Sequence, residues 1–130
     1  MNNSILPINL PDVIAEVRDA FLRYERALLV NDIELLNDFF LDSIHTVRYG
    51  LAEQSYGAAA IHAYRKQATP VDSRRRLSHT VITTIGRDAA SVSTEFSIPG
   101  SELIGRQTQV WMRAASGWKI VAAHVSAISS

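Results

Sequence analysis

The chain has 130 residues, 47% of them apolar, which is enough to fill a single core. Thirteen Lys and Arg balance thirteen Asp and Glu, so the chain lacks the basic field of a general nucleic-acid or anionic-membrane binder. Cysteine is absent, which excludes disulfides and thiolate metal sites. The start of the chain has no basic-then-apolar leader, and no apolar run approaches the roughly 20 residues that span a bilayer, so the expectation is a cytoplasmic protein with neither nucleic acid nor membrane as partner.

Residues 1 to 9 read as a frayed lead-in, and 1–10 as a disordered or extended N-terminus ahead of one domain over 11–130. Over 11–30, Val13, Val17, Phe21, Tyr24 and Leu28 recur at steps of three and four, the apolar stripe of an amphipathic helix. Pro11 and Asp12 suit its first turn. Asn31 with Glu34 reads as the cap and return partner of a short second helix with Ile33, Leu36, Phe39 and Phe40 on its core face. Ile44 to Tyr49 is β-branched and aromatic, hence a strand, and Gly50 stops it. Residues 57–68 form a third helix before Pro70. Four strand-like runs follow at 74–86, 89–98, 104–114 and 118–127, with turn-like breaks at 86–88 and 115–117. The expected class is α+β: a curved antiparallel sheet forming a cone, closed by the N-terminal helices, whose open mouth is the natural ligand site.

Two residues on these elements could carry chemistry. Helix periodicity turns Tyr24 inward, either as a core tyrosine or as a hydroxyl reaching a cavity as a proton donor. Arg48 is either an ion-paired strand arginine or a carboxylate anchor with a planar bidentate fork. The last hairpin adds more. A two-residue turn at Ser116-Gly117 pairs Ala115 with Trp118 and sets Gln109 opposite His124, on one face with Gln107, Trp111 and Ala122. Thr108, Val110, Met112, Val121 and Val125 take the other face. The polar-aromatic face is expected to line the cavity, giving Gln109, Trp111 and His124 as substrate-binding residues. A one-residue slip would reverse that assignment. His45, His62 and His79 have neither i, i+4 spacing nor an acidic cluster, so no metal and no cofactor is expected. Arg74-Arg75-Arg76 reads as a solvated strand start rather than a phosphate site.

The segments FLRYERALLVND, TVRYG and GRQTQVW, together with TVITTIGRDAA and GWKIVAAHVS, resemble the nuclear-transport-factor-like, cystatin-like cone superfamily, and within it the AtzH-like group. That group includes a 1,3-dicarboxyurea-processing enzyme of cyanuric-acid breakdown and a protein encoded with oxalurate-catabolism genes. The resemblance covers about residues 11–127. It implies a homodimer of cones through the outer sheet face, a metal-free pocket, and a catalytic tyrosine and arginine that fall on Tyr24 and Arg48. The association domain of calmodulin-dependent kinase shares the hairpin motif and has an arginine at the place of Gln109.

The expected function is therefore a metal-free decarboxylase or amidohydrolase-type lyase acting on a carboxylated urea or related ureide in nitrogen-compound catabolism. An arginine beside Tyr24 is expected to lower its pKa. The alternative is a non-catalytic dimeric module that binds a small carboxylate or supports an amidase. A ketosteroid-isomerase-like activity stands third, because Val47 and Arg48 occupy the strand where that chemistry places its carboxylate base.

Overall fold

The computed structural model describes residues 5–130. Helix α1 runs Pro11–Leu29 and buries Val13, Val17, Phe21, Tyr24 and Leu28. Asn31 turns the chain at φ 54°, and Asp32 rather than Asn31 caps helix α2, Ile33–Phe39, by accepting from the Leu35 N–H at 3.1 Å. Asn31 tolerates the left-handed region that a tight exit demands, which leaves the next residue as the cap. Strand β1 is Val47–Tyr49 and pairs antiparallel with β2, Gln54–Tyr56, a strand too short to stand out in the sequence. Gly57, at φ 88°, enters helix α3, Ala58–Gln67.

Four long strands follow: β3 Arg76–Ile85, β4 Ala89–Ser97, β5 Leu103–Ala114 and β6 Gly117–Ser129. The curved, unclosed sheet has the order β2-β1-β6-β5-β4-β3, with β1 parallel to β6 and the other pairs antiparallel. Burial alternates along β4 and β5, with Ala90, Val92, Thr94 and Phe96, then Gly105, Gln107, Gln109 and Trp111, turned inward. The core fills the space between that concave face and α1. Its large buried members include Phe21, Trp111 and Ile120, each contributing about 1.5–3 kcal/mol or more by burial.

Two expectations change here. Residues 7–9 are not frayed: Gly86 N–H donates to the Pro7 carbonyl at 2.8 Å, and Asn9 exchanges hydrogen bonds with Thr84 at 3.1 and 2.8 Å. Residues 1–4 of the frayed lead-in lie outside the described residues. The last hairpin turns on Ala115-Ser116, not Ser116-Gly117, since Ala114 pairs with Gly117. Val121 is then an extra residue in β6, because Trp111 pairs with Ile120 and Val110 with Ala122. Turn and bulge together leave Gln109 opposite Ala123 and His124 opposite Thr108.

Among the described residues no helix is long and apolar enough to cross a membrane. One contact offers a test of the packing. A Cβ built on Gly105 would lie 2.1 Å from the Phe96 ring of the neighbouring strand. Gly105→Ala should therefore lower unfolding stability by about 1–3 kcal/mol in urea titration, through displacement of that ring.

Candidate functional site

A cavity of about 560 Å³ opens between α1, β1, the last turn of α3 and the inner faces of β4, β5 and β6. Tyr24, Arg48 and Gln109 all line it, so the structure brings together three of the five residues expected from the sequence. Trp111 stands behind them, fully buried. Its indole N–H donates to Gln109 Oε1 at 3.0 Å, so it orients that amide instead of lining the cavity. His124 does not belong to the site. It is exposed on the outer sheet face against Tyr49, ring centroids 5.6 Å apart, and Val125 takes the inward place. The one-residue register difference moves it there.

Tyr24 is 4% exposed and packs edge-on against Phe39, Phe40 and Trp111 at 5.8, 6.2 and 6.4 Å. Its hydroxyl makes no hydrogen bond to another described residue. Burial pushes its pKa up, and the opposing pull of Arg65, then Arg48, then Arg75 does not reverse the direction. The expected lowering is thus corrected: desolvation outweighs the nearby cations, and the phenol keeps its proton at neutral pH.

Arg48 projects from β1 with its guanidinium hydrogen-bonded to Glu53 and 5.0 Å from the Tyr64 ring centroid. The turn closed by the Gly50 N–H on the Glu53 carbonyl, 2.9 Å, sets that carboxylate beneath the arginine. Arg75 is buried, not solvated as the basic run suggested. It forks onto Glu25 at 2.9 and 3.3 Å and donates to Gln107 Oε1 at 3.2 Å, with its guanidinium 4.0 Å from the Phe96 ring centroid. Arg74 instead holds Asp72 at the cavity rim, and drops its carboxyl to about 2.

Orientation of the two glutamines follows from their partners. Indole and guanidinium can only donate, so Gln109 and Gln107 must turn their oxygens to Trp111 and Arg75. Their amide N–H groups remain, and Gln107 Nε2 is buried without a partner. The cavity wall is therefore rich in donors: a phenol, the Gln109 amide and arginine forks.

The sequence reading missed Arg65, Arg75, Glu25 and Glu53. Glu25 and Arg75 lie fifty residues apart, and nothing local links them. Arg65 did leave a signal, since Ala58, Ile61 and Arg65 form the buried stripe of α3. A separate hollow of about 710 Å³ lies between α2 and the β5–β6 turn. That hollow contains none of the expected site residues.

A family model described as AtzH-like matches residues 6–130. The chain belongs to the AtzH-like family. Among solved structures, this AtzH-like chain is similar to a cystatin-like fold protein from Burkholderia xenovorans LB400: 50% identity, TM-score 0.93, covering 96% of this chain and 98% of that one. It is also similar to a protein of unknown function from Pectobacterium atrosepticum SCRI1043, with 48% identity, TM-score 0.92, and coverage of 97% and 100%. A ketosteroid isomerase-like protein from Erwinia carotovora atroseptica SCRI1043 shares the fold at 16% identity and TM-score 0.76, covering 93% of this chain and 100% of that one. No curated protein matches the chain.

Two outcomes follow from the site's charges. Glu25→Ala strands a buried guanidinium and should cost about 3–5 kcal/mol in urea unfolding, whereas Asp19→Ala, in an exposed pair with Arg23, should cost under about 1 kcal/mol. Asp72 has a depressed folded-state pKa, so its contribution is complete above its ordinary value of 3.8 and is lost as pH falls towards about 2. A pH series of thermal melts should show that loss, and Asp72→Asn should flatten it.

Proposed function

We propose that the cavity binds a carboxylated urea or related ureide and releases carbon dioxide from it. The observation that carries this reading is the convergence of Tyr24, Arg48 and the oriented Gln109 amide on one hollow. Such a wall suits a small ligand made mostly of acceptors, and a carboxylated urea presents carboxylate and carbonyl oxygens throughout. The volume falls in the range typical of small-molecule sites.

The chemistry then divides among the residues. Arg48 offers a substrate carboxylate the N–H donors that Glu53 leaves open. The amide donor of Gln109 holds a urea carbonyl. Decarboxylation breaks the bond between the carboxyl carbon and nitrogen, carbon dioxide leaves, and the electron pair stays on nitrogen. That nitrogen needs a proton as the bond opens, and the neutral Tyr24 hydroxyl, whose pKa burial raises further, supplies it and recovers one from water. The raised pKa also favours a second reading: a module that binds the ureide without turning it over, with Tyr24 as a fixed hydrogen-bond donor.

Carbon dioxide release from N-carboxyureas generated in situ separates the two. Turnover should be present in the native chain and fall by about a hundredfold or more in Tyr24→Phe and in Arg48→Met. Binding with no release would leave only the second reading, and unchanged rates in both variants would remove the assigned roles.

A further inference from the structure

The three arginines around the cavity are not equivalent. Arg75 is taken up by Glu25 and Gln107. Arg48 is taken up by Glu53. Arg65, in the last turn of α3, is 6% exposed and lines the cavity, yet has neither a carboxylate partner nor a hydrogen-bond acceptor among the described residues. Its guanidinium lies 5.9 Å from the Tyr64 ring centroid, an interaction that leaves the N–H fork free. The carbonyl end of α3 offers only about half a negative charge.

A guanidinium cannot escape burial by losing its proton. Its desolvation must be offset by an anion, or it remains a cost to the fold. The two pairs Arg48–Glu53 and Arg75–Glu25 cancel, and Asp72 at the rim is matched by Arg74. One positive charge is left over, and it sits on Arg65. We infer that Arg65 is the residue that selects for an anion in the cavity, beside the carboxylate contact that Arg48 directs, and that the ligand brings one more negative charge than the protein's own pairs accommodate. This deepens the ureide reading above and rests on it. Arg48, already neutralised, contributes direction, while Arg65 contributes selection for an anion. A planar carboxylate can take both prongs of its fork, which a neutral ureide cannot do with equal strength.

The test uses the full chain and a matched pair of probes, N-carbamoylglycinate and its primary amide, in isothermal titration. The native chain should bind the carboxylate roughly ten- to a hundredfold more tightly than the amide. Arg65→Gln should bring that ratio to within about twofold. Arg65→Lys keeps the charge without the fork, and should lower the ratio by weakening the carboxylate more than the amide. Three results would overturn the inference: a native chain that does not favour the carboxylate, a preference that survives in Arg65→Gln, or an equal loss of both probes in Arg65→Lys, which marks a packing role. Neither probe can lose carbon dioxide from nitrogen. A chain that prefers the carboxylate but releases no carbon dioxide therefore ends the decarboxylation reading and leaves Arg65 in place, and the opposite pattern does the reverse.

Discussion

A carboxylate on the first helix and a guanidinium just ahead of β3, both more than nine-tenths buried, tie helix to sheet at the edge of the cavity. The rest of the site depends on that pair. Glu25 follows Tyr24 directly, so fixing one fixes the depth and rotation of the other. Arg75 takes the oxygen of Gln107 with a further N–H and covers the Phe96 ring, which ties β5 and β4 to the same point. A buried ion pair is costly to assemble and more costly to break on one side. Its presence beside a hollow is explained better by positioning than by stability.

Low polarity around the hollow then sets the chemistry. Desolvation keeps the phenol protonated despite three arginines near it, and each arginine is distinguished by what already holds it. Donors whose acceptors are occupied elsewhere are pre-oriented, so a ligand with oxygens on every side meets little reorganisation.

Much of the fold was legible because burial imposes regular spacing. The α1 stripe and the alternation in β5 carried the architecture and turned Tyr24 and Gln109 inward, whereas Arg48 joined Tyr24 only through the family resemblance. What escaped was set by single-residue events. Asn31 takes a left-handed conformation and hands the cap to Asp32. The hairpin closes one residue early, which by itself preserves the facing of β6, and the extra residue Val121 then carries His124 to the outer face. β2 has three residues, with only Ser55 buried, so no period could reveal it. Glu25 and Arg75 find one another only through the tertiary fold, whereas the Ala58, Ile61, Arg65 stripe shows that an arginine at a core position can be read as a question about charge.

The extra residue at Val121 divides its strand into two phases. On the turn side Trp118 and Ile120 face inward; beyond it Ala123 and Val125 do. The half that packs against the helices and the half that floors the hollow therefore obey opposite parity rules. Substitutions in relatives should be compared separately on each side of this seam. A single-codon deletion there would exchange the floor of the hollow for the exterior of the sheet without disturbing the hairpin tip.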